Sequence, residues 1–86
     1  VDIDWEFPGF EGYTCGANSG CRTSCSQQVA DFTAVVRELR AALPPGYLLT
    51  AALRASPIPT AHHDLAQLHP LLDWINLMTY DLYGAW

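Results

Sequence analysis

Basic residues are scarce in this sequence. It has four Lys and Arg together against nine Asp and Glu, which gives a formal net charge of −5 at neutral pH. Proteins that bind nucleic acid neutralise backbone phosphates with lysine and arginine, so this composition argues against a nucleic-acid partner. The sequence also lacks an apolar run near the ~20 residues that a membrane-spanning helix needs, so no membrane partner is predicted. A neutral ligand suits this charge balance better.

Cysteine is also sparse, and its spacing is not that of a metal site. Cys15, Cys21 and Cys25 lie in a segment rich in Gly, Ser and Thr. Clustered cysteines are typical of oxidised, secreted chains, and an odd count leaves one cysteine over. We predict one local disulfide among the three, with the pair left open. Without a Cys-x-x-Cys motif or a nearby histidine, a zinc site is less expected.

The histidines do not form a metal-binding pattern either. His62, His63 and His69 include no pair spaced i, i+4 on a helix, which is the spacing that metal-binding helices favour. We therefore interpret them as surface residues, and we predict neither a metal nor a cofactor.

Hydrophobic patterns in the first half of the chain predict a strand, a loop and a helix. Residues 1–7 alternate apolar and acidic side chains, as a strand does, and residues 8–23 predict a long loop. Ser24, with Gln27 three residues later, fits a capping box that opens an amphipathic helix of about five turns. Residues 44–46, Pro-Pro-Gly, end it. The apolar stripe of this helix comprises Val29, Phe32, Val35, Val36, Leu39, Ala42 and Leu43.

The second half repeats the alternation. The apolar run 47–53 predicts a parallel strand that is covered on both faces. Thr60 is a plausible N-cap for a shorter helix that runs to about His69, and residues 73–79 predict a third strand. Arg54 follows the second strand and could face the same site as Glu6, although a solvated or ion-paired residue at a strand end is the simpler interpretation.

The order strand, helix, strand, helix, strand predicts an α/β fold with parallel strands. An open doubly wound sheet and a closed eightfold barrel both fit this order. Because no glycine-rich phosphate loop follows the first strand, the nucleotide-binding open sheet is disfavoured. Polar residues at the carboxyl ends of strands suit a (β/α)8 TIM barrel, which takes about 250 residues. We therefore expect the 86 residues to form part of a single barrel domain.

The first strand carries the densest chemistry. Because successive side chains of a strand point to opposite faces, Asp2, Asp4 and Glu6 share one face. A solvated acidic edge strand and a divalent-metal site are both compatible with that pattern. If the face is enclosed, three carboxyls about 7 Å apart cannot all ionise freely. One of them could then stay protonated near neutral pH and donate a proton.

Two motifs resemble those of the family-18 glycoside hydrolases, the chitinases. Residues 1–8, Val-Asp-Ile-Asp-Trp-Glu-Phe-Pro, resemble the family signature Asp-Gly-x-Asp-x-Asp-x-Glu from its third position onward. Residues 76–86 resemble the sixth-strand motif Met-Thr-Tyr-Asp-Leu-x-Gly-x-Trp. Phe7 stands where Tyr is common and Tyr83 where His is common, and neither change threatens catalysis. The resemblance covers essentially the whole chain and implies strands four to six of the barrel with two intervening helices.

The resemblance implies roles for the three acids. Glu6 would be the general acid that protonates the glycosidic oxygen and then acts as the base toward water. Asp4 would share a proton with Glu6 and stabilise the acetamido nitrogen of the substrate. Asp2 would lie deeper and tune Asp4.

The second motif implies further site residues. Tyr80 would hydrogen-bond the acetamido carbonyl, and Asp81 would help to orient it. Met78 would form part of the pocket floor, and Trp86 would be a sugar-stacking platform on the leaving-group side. Met78 could equally be a core residue, and Tyr80 a core tyrosine with a satisfied hydroxyl. The remaining tryptophans, Trp5 and Trp74, we interpret as packing against helices.

The function implied by the resemblance is that of a secreted chitinase. Such an enzyme cleaves β-1,4 links between N-acetylglucosamine units by a retaining, substrate-assisted mechanism. Its substrates would be chitin or N-acetylglucosamine oligosaccharides, and the full-length protein would be a monomer. An endo-β-N-acetylglucosaminidase acting on N-glycans and a chitin-binding lectin on the same barrel are the alternatives. The isolated 86 residues are expected to be inactive, because three strands cannot close a barrel.

Overall fold

A computed structural model of the chain describes residues 1–9, 25–55, 63–80 and 82–85. The described elements are the strands β1 (Asp2–Ile3), β2 (Thr50–Arg54) and β3 (Trp74–Met78) and the helices α1 (Cys25–Ala42) and α2 (Leu65–Leu68). Their order along the chain confirms the predicted alternation of strands and helices. Cys15 and Cys21 lie outside the described residues, so the predicted local disulfide stays a prediction.

The three strands form one parallel sheet in the order β1-β2-β3. Asp2 pairs with Thr50 in β2, and Thr50 pairs in turn with Trp74 in β3. The first strand is shorter than predicted, because only residues 2–3 belong to the ladder. Residues 4–9 continue outside the ladder, with a bend at Glu6 and a left-handed φ of +77° at Gly9.

Helix α1 packs its apolar stripe on one face of this sheet. Phe32 and Val36 are fully buried, while Leu39 and Leu43 are partly buried against them. The predicted stripe is correct in this part of the helix, but Val35 is 46% exposed and lies outside it. Within the described residues, the buried core comprises Phe32, Val36, Leu49, Ala51, Leu53 and Leu68.

Helix α2 is shorter than the predicted second helix and is capped by a different residue. It spans only Leu65–Leu68, and the Asp64 carboxylate accepts a hydrogen bond from the backbone N–H of Gln67 at 3.2 Å, as an N-cap does. Thr60 lies outside the described residues. Leu68, the last helical residue, is fully buried in the core.

The histidines differ in their surroundings. His69 is exposed, as predicted. His63 is partly buried, and its ring meets the ring of Phe32 edge-on with the centroids 5.1 Å apart. The interpretation of His63 as a surface residue is therefore wrong, since its ring packs against Phe32 of α1. His62 lies outside the described residues.

An ion pair anchors the loop before β2 to the amino end of β3. Asp73 Oδ2 accepts a hydrogen bond from the backbone N–H of Leu49 at 2.7 Å and another from Arg40 Nη1 at 3.0 Å. Arg40 Nη2 also donates to the carbonyl of Tyr47 at 2.7 Å. The Leu49 N–H, followed by the Arg40 guanidinium, holds the pKa of Asp73 below its ordinary value. This network joins helix α1 to the segments that lead into β2 and β3.

Replacing Asp73 with asparagine is expected to lower the unfolding midpoint of the protein at neutral pH. A carboxylate whose folded pKa is depressed contributes stability in full above its unfolded pKa, near 3.8, and loses that contribution as pH falls through the lower folded value. The difference between the two proteins should therefore shrink below about pH 4. Thermal unfolding of both proteins at a series of pH values measures the difference between their midpoints.

Asp31→Asn is the matched control for the loss of one negative charge, because Asp31 accepts its hydrogen bond from the neutral Gln27 side chain within α1. It should leave the midpoint close to that of the unmodified protein. Equal midpoints for Asp73→Asn and the unmodified protein at neutral pH, or a difference that widens in acid, would contradict the role given to Asp73.

Candidate active site

The acidic residues of the first strand share one face, as predicted. Asp2, Asp4 and Glu6 are all exposed, whereas Ile3 and Trp5 between them are partly buried and pack against the core. The Trp5 and Phe32 ring centroids are 6.0 Å apart, so Trp5 packs against helix α1 as interpreted. Because the apolar side chains occupy the helix-facing side, the carboxyl groups point to the opposite face of the sheet.

Asp2 is held by residues from both other strands. Thr50 Oγ1 donates to Asp2 Oδ1 at 2.5 Å, and Asn76 Nδ2 donates to the same oxygen at 3.4 Å. Neither donor is among the site residues predicted from the sequence. The parallel register is the signal that could have found them. Asp2 pairs with Thr50, and Thr50 pairs with Trp74 in β3. Asn76 lies two positions after Trp74 and so is on the same face of the sheet.

A pocket of about 250 Å³ opens beyond the carboxyl ends of β2 and β3. It brings together Glu6 from the first motif and both Met78 and Tyr80 from the second. Met78 is partly buried, and Tyr80 is 78% exposed, so Tyr80 is not a core tyrosine in this structure. Phe7 and Arg54 complete the described lining of the pocket.

The other predicted site residues lie outside this pocket lining or outside the described residues. Asp2 and Asp4 precede Glu6 on the same face of the first strand. Asp81 and Trp86 belong to the part of the chain that the structure does not describe, so their roles stay predictions.

Arg54 is the basic side chain in the described lining. Its guanidinium carbon lies 5.5 Å from the centroid of the Phe7 ring, within the range of a cation–π contact. As the last residue of β2 it pairs in register with Met78, and it is partly buried. The sequence analysis allowed Arg54 to face the site of Glu6 but favoured a simple strand-end role, and the structure places it in the pocket.

Trp74 does not pack against a helix as interpreted. It is 50% exposed, and its register with Thr50 puts it on the sheet face that carries the acids. Together with His69, Leu72, Asp73 and Ile75 it lines a second depression, of about 220 Å³, at the amino end of β3.

The described residues offer little support for a metal site on the acidic face. Across residues 1–9, 25–55, 63–80 and 82–85, no cluster of three or more His, Cys, Asp and Glu has the arrangement needed to hold a metal ion.

In the same part of the chain, neither helix is long and apolar enough to cross a membrane.

The three strands are parallel, and a helix packs on one face of their sheet. Polar side chains gather at the carboxyl ends of the strands. These features are typical of an α/β enzyme. The chain belongs to the glycosyl hydrolases family 18, whose family model matches residues 1–86. Membership of this family implies the (β/α)8 barrel fold.

The relatives of the chain support the same family. It is 33% identical over 89 residues to Chitinase 63 of Streptomyces plicatus, 38% identical over 88 residues to Probable chitinase 10 of Drosophila melanogaster and 37% identical over 89 residues to Chitinase B of Serratia marcescens. All of this chain is covered in each comparison, but only 13%, 4% and 16% of the respective relatives. The chain thus spans a small part of the length of the proteins that it matches.

Proposed function

We propose that these 86 residues belong to the catalytic barrel of a chitinase, an enzyme that hydrolyses β-1,4 links between N-acetylglucosamine units. The observation that carries the proposal is the pocket that brings Glu6 together with Met78 and Tyr80, beside the acidic face of Asp2 and Asp4. Relatives that bear the name chitinase support the choice of substrate.

Glu6 is the proton donor in this proposal. Its side chain lines the pocket, where a bound sugar can present its glycosidic oxygen. As the bond between the anomeric carbon and that oxygen breaks, the Glu6 carboxyl transfers its proton to the leaving oxygen. The resulting Glu6 carboxylate then takes a proton from water in the second step.

The nucleophile in the first step is the acetamido oxygen of the substrate. Most retaining glycosidases use a second carboxylate as the nucleophile, but family 18 belongs to the substrate-assisted exceptions. The carbonyl oxygen attacks the anomeric carbon and forms a cyclic oxazolinium ion, whose positive charge the neighbouring Asp4 stabilises. Water then attacks the same carbon from the opposite side, so two displacements give net retention.

Asp2 positions the acids rather than reacting. Thr50 and Asn76 both donate to its Oδ1 atom, which fixes its carboxylate between β2 and β3. In this position, two residues before Asp4, Asp2 tunes Asp4.

Residues of the second motif hold the acetamido group. Tyr80 donates its phenolic proton to the carbonyl oxygen, and its high exposure in the pocket leaves that hydroxyl accessible to a ligand. Met78 forms the pocket floor from its partly buried position. Asp81 orients the acetamido group, and Trp86 stacks on the sugar on the leaving-group side.

The proposed place of the chain in the barrel is strands four to six. In the described sheet, β1 and β3 each pair on one side only, with β2, so each has an edge to which another barrel strand can add. Leu77, in β3, is 64% exposed on the side opposite the acids, where a further helix of a barrel would cover it.

The location and assembly of the protein follow from the same proposal. Chitin is an extracellular polymer, so we propose that the protein is secreted, and its loop cysteines then favour a disulfide. We further propose that it acts as a monomer without a cofactor.

The test is the incubation of the complete barrel domain with a soluble N-acetylglucosamine oligosaccharide, with the products followed by mass spectrometry. Shorter oligosaccharides are expected, whereas the 86-residue chain alone should release none. Cleavage of N-glycans but not of the oligosaccharide would favour an endo-β-N-acetylglucosaminidase. Binding without any product would reject the enzyme and favour a lectin.

A further inference from the structure

The pocket beside Glu6 contains a fixed positive charge. Arg54, the last residue of β2, pairs directly with Met78 in β3. Glu6 follows β1 in the chain and lines the same pocket as Arg54 and Met78.

The Arg54 side chain is oriented by its contact with Phe7. The 5.5 Å separation between its guanidinium carbon and the ring centroid corresponds to a cation held against the aromatic ring. A guanidinium is planar and has five N–H donors, and contact with an aromatic ring limits its rotational freedom. Partial burial reduces the screening of its charge by water.

The other described arginines lie outside the pocket lining. Arg37 donates to the side chain of Gln67 at 2.8 Å, and Arg40 forms the ion pair with Asp73. Both lie on helix α1, which packs on the side of the sheet opposite the acids. Of the arginines that the structure describes, Arg54 is therefore the one placed to meet a ligand in the pocket.

We propose that Arg54 is a substrate-binding residue that selects acetylated over deacetylated sugar units in the pocket beside Glu6. The proposal rests on the proposed chitinase function. An N-acetylglucosamine unit presents neutral oxygen acceptors to the guanidinium, and a charge-assisted hydrogen bond to one of them stabilises the complex. A glucosamine unit presents a cationic ammonium group instead, which the fixed charge of Arg54 repels.

The charge of Arg54 matters because its surroundings are acidic. Asp2, Asp4 and Glu6 on the adjacent strand attract a cationic sugar. Without Arg54, the same face would favour the ammonium group of a deacetylated unit. With Arg54 in the pocket lining, the attraction is offset at the point where Met78 and Tyr80 meet the ligand.

The experiment measures binding in the complete barrel domain that carries Glu6→Gln, so that turnover is slow during the measurement. Isothermal titration calorimetry compares this protein with its Arg54→Met and Arg54→Lys derivatives at mildly acidic pH. The two probes are the N-acetylglucosamine tetramer and the fully deacetylated glucosamine tetramer. Arg37→Met is the matched control, because it removes an arginine of α1 outside the pocket.

Arg54→Met is expected to weaken binding of the acetylated tetramer about tenfold, as for the loss of one charge-assisted hydrogen bond. Binding of the deacetylated tetramer should stay the same or strengthen. Arg54→Lys should recover part of the discrimination, and Arg37→Met should change neither affinity. Equal weakening of both probes by Arg54→Met, or no change in either, would overturn the proposal.

Steady-state kinetics with Glu6 intact separate binding from an indirect effect on the acid. Arg54→Met should raise KM about tenfold, with kcat and the pH profile unchanged. A fall in kcat with a displaced pH profile would mean that Arg54 acts through Glu6, and the proposal would be wrong. If the protein with both Glu6 and Arg54 does not hydrolyse the oligosaccharide at all, the proposed function fails instead.

Discussion

Replacing Glu6 with glutamine is expected to lower kcat for chitin oligosaccharides by about 10²- to 10⁴-fold, the range that a positioned general acid contributes. Glutamine has nearly the same shape and still fits the pocket beside Met78 and Tyr80, but its amide has no acidic proton to give to the leaving oxygen. The affinity for the oligosaccharide should therefore change little. Single-turnover kinetics and calorimetry on the complete barrel domain measure the two effects separately.

Glu38→Gln provides the control for this substitution. Glu38 is exposed on helix α1, which packs on the side of the sheet opposite the acids, and the variant makes the same chemical change there. It should hydrolyse the oligosaccharide like the unmodified enzyme. Turnover of Glu6→Gln at the unmodified rate would remove Glu6 from the proposed mechanism. Loss of both turnover and binding would assign Glu6 a role in holding the ligand.

Phe32→Ala is expected to lower the free energy of unfolding of the barrel domain by about 3–5 kcal/mol. Phe32 is only 1% exposed at the centre of the core between α1 and the sheet. Its ring meets Trp5 at 6.0 Å and His63 at 5.1 Å, so truncation leaves a cavity between three segments of the chain. Denaturant unfolding gives the difference directly.

Val35→Ala is the control on the same helix. Val35 is 46% exposed, so its truncation removes few buried contacts and should cost under about 1 kcal/mol. A Phe32→Ala domain as stable as Val35→Ala would mean that the face of α1 carrying Phe32 is not the one that supports the sheet. Trp5 packs against Phe32 and lies between Asp4 and Glu6 in sequence. The Phe32 variant should therefore lose activity before it unfolds globally.

The sequence alone was sufficient for the order of the elements and for the acidic face, although β1 and α2 are shorter than predicted. Both rest on local periodicity: an alternation of two along residues 1–7, and the spacing of three and four that puts Phe32 and Val36 on the buried side of α1. These patterns depend only on backbone geometry and apolar burial. The predicted third strand therefore agrees with β3 to within one residue at each end.

Contacts between distant segments were harder to predict. Thr50 and Asn76 bond Asp2 across 48 and 74 positions of sequence, and only the register of three parallel strands brings them together. Arg54 enters the pocket for the same reason. His63 packs against Phe32, 31 positions away in sequence, and no local pattern marks that contact.

The anomeric form of the first product most directly tests the central claim that these residues catalyse a retaining, substrate-assisted hydrolysis. The complete barrel domain would cleave an N-acetylglucosamine oligosaccharide while NMR follows the new reducing end, before the anomers equilibrate. The account predicts that the β-anomer forms first, since two displacements at the same carbon retain its configuration. Initial formation of the α-anomer would contradict acetamido participation and the roles given to Glu6, Asp4 and Tyr80.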